Sequence, residues 1–425
     1  MPHKLRHGLL FICIAVFFGS CIRQPDEPKQ PSPANGAAVT SVNPLLCATV
    51  DEPKGRTLQV RFFGRQKTDS HSKKFTIIFL PDTQYYTEEP QGNRGASIDM
   101  FRAQTKWIAD NRVSRNIVYV GHLGDCVQNG DSIPGSAKDI EWQRAATAIK
   151  TIEDPAGTGL PEGIPFGISV GNHDQTPNSS ASGTTMLYNQ FFGSNHFGGR
   201  SYYGGHYGSN NDNFYDLFNA SGIEFLVISL EFDQTGSFSS PDGALDWSEN
   251  LVRNNPGRKV IVMTHYAMNE TTSFSPQGQA IYDRLKVYPN FCLMICGHRH
   301  SSDGEANRTN IYNGNRVYTL LSDYQGRPGG GDGLLRIMEF DPELNKILVK
   351  TYSPYADRYE TDPDSQFELS FNMLPLIGQV NGVGPGMKAC LSWNNLEPAN
   401  SYEWNMEVYN RESVTIGPIW SFRVP

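Results

Sequence analysis

Five short polar segments carry the residue types that bind divalent metals. In chain order they are PDTQ (81–84), GHLGD (121–125), GNHD (171–174), the single residue His265 and GHRH (297–300). Carboxylate oxygens, amide oxygens and imidazole nitrogens together make up the ligands of a divalent metal site. His298 and His300 are two residues apart, so an extended backbone projects both side chains to the same side. The five segments therefore predict one metal site built from distant parts of the sequence.

Apolar runs precede these segments and predict the strands that position them. The runs are Phe75–Leu80, Asn116–Val120, Phe166–Val170, Ile223–Ser229, Lys259–Thr264 and Phe291–Cys296. Short, nearly continuous runs of this kind are typical of strands buried on both faces. Helical patterns lie between them, and one places on a shared face the residues Ile140, Ala145, Ile149 and Ile152. The alternation predicts a layered α/β domain whose site lies beyond the carboxyl ends of the strands.

The order of these motifs resembles that of the calcineurin-like metallophosphoesterases. That family carries D-x-H, G-D, G-N-H-D/E, a lone His and G-H-x-H, and the resemblance covers roughly residues 75–356. It implies an α/β fold with a layered β-sandwich core flanked by helices. It also implies a hydrolase that cleaves a phosphomonoester or a phosphodiester.

The resemblance further implies two divalent or trivalent ions, of Mn, Fe, Zn or Mg, bridged by Asp125 and by a hydroxide that acts as nucleophile. The remaining metal ligands that it implies are Asp82 and His300 for one ion, and Asn172, His265 and His298 for the other. His173 would be a catalytic residue that protonates the leaving alkoxide or stabilises the phosphoryl oxygens, with Asp174 orienting its ring.

Gln84 departs from the family pattern, because the first motif usually ends in His. A Gln carbonyl oxygen can still coordinate a metal, but it is neutral, harder than imidazole and a weaker donor. The substitution favours weaker binding of the first metal or a preference for Mn²⁺ or Mg²⁺ over Zn²⁺. Tyr85 or Tyr86 could instead reach this metal as a phenolate. Gln84 also leaves open a different class of function, a cell-surface binding or structural module with a degenerate metal site.

Residues 1–20 have the pattern of a secretory signal, in which two basic residues precede the apolar run Leu9–Phe18. Small residues and then Cys21 follow, which resembles a bacterial lipoprotein signal with Cys21 as the lipidated residue. A plain secretory cut and an uncleaved anchor are the alternatives. Residues 21–37 are predicted to be a tether. The expected location is the bacterial cell envelope, lipid-anchored on the periplasmic or outer-surface side, or otherwise secreted.

Residues 38–66 and 367–425, on either side of the catalytic region, alternate apolar and polar residues as half-buried antiparallel strands do. The upstream flank is shorter than the roughly 40 residues that usually fold unaided. We therefore expect one all-β sandwich, resembling an immunoglobulin or fibronectin type III domain, that is split around the catalytic domain. The alternative is an upstream strand pair and a separate C-terminal sandwich. Cys47 and Cys390 could form a disulfide if the flanks meet.

The chain has 425 residues, with 36 Lys and Arg against 44 Asp and Glu, for a formal charge of −8. An acidic chain disfavours a long nucleic-acid partner, because phosphate-backbone binding requires a basic surface. The expected partners are a small phosphorylated substrate and, through Cys21, a membrane surface. No segment of the sequence names the substrate or a protein partner.

Overall fold

The computed structural model describes residues 24–88, 95–131, 139–181, 183–237 and 243–425. The predicted signal and Cys21 lie outside the described residues. The strands are β1 (Lys29–Ser32), β2 (Ala37–Ala38), β3 (Leu45–Val50), β4 (Leu58–Gln66), β5 (Phe75–Leu80), β6 (Ile117–His122), β7 (Phe166–Ile168), β8 (Tyr203–His206), β9 (Phe214–Ala220), β10 (Ile223–Leu230), β11 (Lys259–Thr264), β12 (Phe291–Cys296), β13 (Glu305–Tyr312), β14 (Asn315–Ser322), β15 (Leu335–Asp341), β16 (Lys346–Ser353), β17 (Arg358–Glu360), β18 (Phe367–Ser370), β19 (Leu376–Val383), β20 (Met387–Ser392), β21 (Ser401–Tyr409), β22 (Val414–Ile416) and β23 (Trp420–Arg423). The helices are α1 (Gln84–Thr87), α2 (Ile98–Asn111), α3 (Asp139–Glu153), α4 (Pro155–Thr158), α5 (Met186–Phe192), α6 (Ser194–Phe197), α7 (Ala244–Asn254) and α8 (Pro276–Leu285).

Two seven-stranded sheets form the central domain. One has the order β13-β14-β12-β11-β10-β9-β8, and the other has the order β17-β16-β15-β5-β6-β7, with β18 paired to β16. Strands β5, β6 and β7 run parallel, as do β10, β11, β12 and β14. Because parallel strands end at the same edge of a sheet, the polar segments that follow them are brought together.

The side chains of β5 explain why this strand is buried on both faces. Phe75, Ile77 and Phe79 point into the core between the two sheets. Ile78 and Leu80 point to the opposite face, into a second core that includes residues of α2 and α3. A third core lies between the other sheet and helices α7 and α8. The structure is the layered α/β sandwich that the sequence predicted.

One predicted helix face is partly wrong. In α3, Ala145, Ile149 and Ile152 are buried, but Ile140 is 44% exposed. Nine positions separate Ile140 from Ile149, and at roughly 100° per residue this places them on opposite sides of the helix.

Strands from both flanks share one hydrophobic core outside the central domain. Strand β4 pairs with β19 and β21, and β3 pairs with β1 and β20. Phe62 of β4 stacks on Trp404 of β21 at a centroid distance of 6.2 Å. A disulfide joins Cys47 to Cys390, which lie opposite each other in β3 and β20. These pairings are the ones that a split sandwich requires; its resemblance to fibronectin type III domains stays a prediction.

The boundaries of the flanks differ from the predicted ones at two places. The tether prediction is wrong for residues 29–32 and for residue 37, because β1 pairs with β3 and β2 pairs with β23. The predicted C-terminal segment also begins too early. Its first strand, β18, pairs with β16 and so extends a sheet of the central domain.

Candidate metal centre

The predicted metal ligands stand just beyond the carboxyl ends of the parallel strands. Asp82 follows β5, Asp125 follows β6, Asn172 follows β7, His265 follows β11, and His298 and His300 follow β12. Asp125 and His298 have positive φ angles of 50° and 78°. Left-handed backbone is costly for residues other than glycine and is concentrated at functional sites.

Asp125, His265 and His298 form a cluster whose ligand atoms all lie within 4.8 Å of one another. The Nε2 atom of His265 lies 3.2 Å from Asp125 Oδ2 and 3.1 Å from His298 Nδ1. The Oδ1 atom of Asn172 is 3.0 Å from the same nitrogen. The structure therefore brings together four of the predicted ligands.

The hydrogen bonds of His265 show that this cluster suits a cation. Its Nδ1 lies 2.8 Å from the carbonyl oxygen of Leu123, so Nδ1 carries a proton. In the neutral ring, Nε2 then presents a lone pair to the oxygens of Asp125 and Asn172, which are also electron pair donors. Lone pairs from several groups that converge in one buried place repel one another unless a proton or a metal ion lies among them. The donor set fits a metal.

Charge within the cluster lowers the pKa of Asp125 and of His298, and it raises the pKa of His265, which burial alone would lower. Burial alone would raise the pKa of Asp125, but the neighbouring His265 holds it below its ordinary value. Burial and the charge of His265 lower the pKa of His298 to about 3, which keeps its imidazole neutral and able to bind a metal.

Close approach of the loops requires glycine at position 171. A Cβ atom there would clash with the backbone nitrogen and carboxylate of Asp125. The glycine before Asn172 therefore lets the loop after β7 lie against the loop after β6.

Asp82 and Gln84 lie on a second side of the centre. Asp82 is 3% exposed, and its Oδ2 accepts a hydrogen bond of 3.1 Å from the backbone nitrogen of His298. Gln84 is 2% exposed, and its Oε1 has no hydrogen-bond partner among the described residues. A buried carbonyl oxygen without a partner is costly, and coordination to a metal would satisfy it.

The phenolate alternatives to Gln84 have less support. The hydroxyl of Tyr86 donates to the carbonyl oxygen of Gly330 at 2.5 Å and accepts from the nitrogen of Gly333 at 3.0 Å. Burial also raises the pKa of Tyr86, which opposes a phenolate. Tyr85 is half-buried and packs against the core that includes Phe101.

His300 is half-buried and lies beside Gly326, where an added Cβ would be 3.0 Å from His300 Nδ1. The charge of His300 also influences the carboxyl group of Asp323. His300 is therefore placed on the Asp323 side and outside the cluster around His265.

His173 stands apart from the metal-binding cluster. Its ring Nδ1 lies 3.0 Å from the carbonyl oxygen of Gln128, and its backbone nitrogen donates to Asp125 Oδ1 at 2.8 Å. The carbonyl accepts a hydrogen bond from Nδ1–H, so the Nε2 atom of His173 is left for other chemistry.

The expectation that Asp174 orients the His173 ring is wrong. Asp174 is fully buried and accepts hydrogen bonds from the backbone nitrogens of Gly171, Cys126 and Val127. Burial and the nearby Asp125 raise the pKa of Asp174 to about 8. Asp174 holds the loops after β6 and β7 together, and the Gln128 carbonyl contacts the ring instead.

Two residues at the site were missed in the sequence, Asp323 and Gln325. They follow β14, and the Nε2 atom of Gln325 donates to Asp82 Oδ2 at 3.2 Å and to Asp323 Oδ2 at 3.1 Å. The apolar run before Ser322-Asp323 was the available signal, because a polar group after an apolar run marks the other strand ends.

The α/β sandwich and the donor cluster at its strand ends are those of a metallophosphoesterase. The model of the calcineurin-like phosphoesterase family matches residues 75–302, more than half of the chain. The chain belongs to that family, as the motifs indicated.

Known proteins similar to this chain are distant. The uncharacterized protein YvnB of Bacillus subtilis (strain 168) is 29% identical over 384 residues, which cover 82% of this chain and 27% of that relative. A purple acid phosphatase from yellow lupin (Lupinus luteus) seeds has a TM-score of 0.46 at 12% identity, over 82% of this chain and 75% of that one. A conserved uncharacterized protein of Streptococcus pneumoniae TIGR4, described as a predicted phosphoesterase, has a TM-score of 0.28 at 13% identity, over 70% of this chain and 98% of that one. Likenesses this distant identify no substrate.

Proposed function

We propose that this chain hydrolyses a phosphomonoester or a phosphodiester at a dinuclear metal centre. The observation that carries the proposal is the convergence of electron pair donors from Asp125, Asn172 and His298 on one nitrogen of His265. Family membership supports metal-dependent hydrolysis of a phosphoester. The presence of two ions and the cleavage of a monoester or a diester are the parts of this function that we propose.

Each group of the chain has a distinct role in this proposal. When bound, two ions would activate a water molecule as nucleophile and neutralise the phosphoryl oxygens. Asp125 would hold both ions, as the family resemblance implies; its carboxylate lies 3.2 Å from His265, and its charge also acts on Asp82. His173 would transfer a proton to the leaving oxygen from Nε2, because the Gln128 carbonyl holds Nδ1 and fixes the ring.

Metal reconstitution tests the proposal. The purified full chain is stripped with a chelator, loaded with Mn²⁺, Zn²⁺ or Fe, and assayed on an aryl phosphomonoester and an aryl phosphodiester. We expect turnover that is lost on chelation and restored by metal. Absence of turnover with every metal would contradict the proposal and favour a binding or structural module with a degenerate site.

We further propose that Cys21 is lipidated and holds the protein at a membrane surface of the bacterial cell envelope. Within the described part of the chain, no helix has the length and apolar composition needed to cross a membrane.

The proposed substrate is a small phosphorylated molecule. The flanking all-β sandwich is proposed to be of the immunoglobulin or fibronectin type III class. A long nucleic acid is not an expected partner, since the net charge is −8.

A further inference from the structure

A second buried carboxyl group lies against Asp82. Asp323 is completely buried, Asp82 is 3% exposed, and both carboxyl groups contact the same side chain, Gln325. The side-chain nitrogen of Gln325 donates to both of them, at 3.1 and 3.2 Å. Two buried carboxyl groups that share one amide nitrogen place several oxygen atoms where a cation could bind them.

The described residues offer this pair histidine rings, and the charge of His300 acts on Asp323. In the described ranges, no lysine or arginine forms an ion pair with Asp82 or Asp323. The nearest ring to Asp82 is His265, whose Nδ1 is 4.0 Å from Asp82 Oδ1 but already donates to the carbonyl of Leu123.

Among the described residues, the carbonyl oxygen of Gln325 at this pair is unsatisfied, as is that of Gln84, two residues after Asp82. Gln84 Oε1 and Gln325 Oε1 are both buried and have no hydrogen-bond partner in the described part of the chain. The amide of Gln325 sits between the carboxyl groups, so its free oxygen belongs to the same group of atoms. Carboxylate and amide oxygens are the donors that hard divalent cations prefer.

We infer that Asp323 and Gln325 belong to the metal site on the Asp82 side, which makes that site rich in oxygen and selective for Mn²⁺ or Mg²⁺ over Zn²⁺. The inference rests on the dinuclear centre of the proposed function. It divides the centre into two chemically different halves, because the cluster around His265 offers imidazole nitrogens and the half around Asp82 offers mainly oxygens. His300 would be the one imidazole of the second half.

Metal binding by Asp323→Asn tests this inference without relying on activity. Asparagine keeps the size of the side chain and one of its two acceptor oxygens but removes the charge. Mn²⁺ binding is measured by calorimetry, and bound metal is counted by mass spectrometry after dialysis. We expect two ions in the wild type, with one site weakened about tenfold or more in the variant and the other site unchanged.

Asp216→Asn is the matched control. Asp216 is fully buried in β9 and accepts a hydrogen bond of 2.7 Å from Tyr119, away from the strand ends that carry the ligands. Its replacement should leave both Mn²⁺ sites at wild-type affinity. Two wild-type sites in Asp323→Asn, or fewer than two ions in the wild type, would overturn the inference.

Gln325→Glu separates a metal site from a purely structural pair of carboxyl groups. A third carboxylate should destabilise the metal-free protein and enlarge the rise in melting temperature that Mn²⁺ causes. An equal loss of stability with and without Mn²⁺ would contradict the inference.

The failure of the inference and the failure of the proposed function can be told apart. If the wild type binds two ions but cleaves no ester, the proposed function fails while the inference stands. If Asp323→Asn keeps both ions and turnover, the inference fails while the function stands.

Discussion

At the scale of single residues, we expect His173 to transfer a proton without binding a metal. Its ring contacts the Gln128 carbonyl and lies outside the cluster of Asp125, His265 and His298. We expect His173→Ala to retain its metal content while kcat falls about 100-fold or more, as for the loss of a general acid. Metal analysis and steady-state kinetics on an aryl phosphate provide the two measurements.

His71→Ala is a suitable control for this prediction. The Nδ1 atom of His71 also contacts a backbone carbonyl, that of Gln66, at 3.0 Å, but His71 follows β4 and is remote from the strand ends. Its replacement should leave both kcat and metal content unchanged. Loss of metal from His173→Ala would mean that His173 is a ligand and that its proposed role is wrong.

The residue types of the site could be predicted from the sequence, but some of their contacts could not. Asp125, His265 and His298 follow recognisable apolar runs, so their convergence followed from the rule for parallel strands. The partner of the His173 ring depends on the path of the loop after β6, which no local pattern specifies. We therefore predicted that Asp174 contacts the His173 ring, but the Gln128 carbonyl makes this contact instead.

At the scale of elements, strands with both faces buried were the easiest to predict. Strand β5 has six buried residues in succession, FTIIFL. Strand β14 has the sequence NRVYTLLS, which mixes polar with apolar residues although seven of its eight positions are buried. Its weaker pattern concealed the strand end that carries Asp323. The pairing of β4 with β21 joins segments far apart in sequence, so only the combined size of the flanks indicated it.

Glu52 links the turn after β3 to the loop after β21. Its carboxylate accepts hydrogen bonds from the backbone nitrogens of Lys54 and Arg56 and from the side chain of Asn410. Burial alone would raise the pKa of Glu52, but hydrogen bonds, chiefly from Arg56, lower it to about 2 from an ordinary 4.5. The ionised form therefore stabilises the fold above about pH 4.5, and this contribution is lost as the pH falls towards 2.

We accordingly expect Glu52→Gln to lower the melting temperature at pH 7, with a difference from wild type that shrinks between pH 4.5 and 2. Thermal unfolding in the presence of a chelator measures this without interference from bound metal. Glu397→Gln is the control, since Glu397 is exposed and, within the described residues, accepts a single side-chain hydrogen bond, from Asn400 at 3.2 Å. A difference for Glu52→Gln that stays constant with pH would show that its charge is not the cause.

At the scale of the whole molecule, the flanking sandwich is bound to the central domain by charged side chains that reach backbone carbonyls. Arg61 of β4 donates to the carbonyl oxygens of Asn313 and Gly314 at 2.8 and 2.9 Å. Arg316 of β14 donates in the opposite direction, to the carbonyl of Val414 at 2.5 Å. Each module thus contributes an arginine whose guanidinium group donates hydrogen bonds to the other module. These bonds hold the two modules in one orientation.

The position of residues 25 and 26 gives the proposed lipid anchor a structural consequence. The carbonyl of Pro25 accepts from Thr415, and the nitrogen of Asp26 donates to Asp51. A lipid on Cys21 would therefore leave only residues 22–24 between the membrane surface and the folded protein. We expect Cys21→Ser, expressed in a bacterial host, to leave the membrane fraction while its melting temperature and turnover stay at wild-type values. Cys13→Ser, within the apolar run of the signal, should still fractionate with membranes. Membrane association of Cys21→Ser equal to that of the wild type would exclude lipidation as the anchor and leave an uncleaved apolar segment as the alternative.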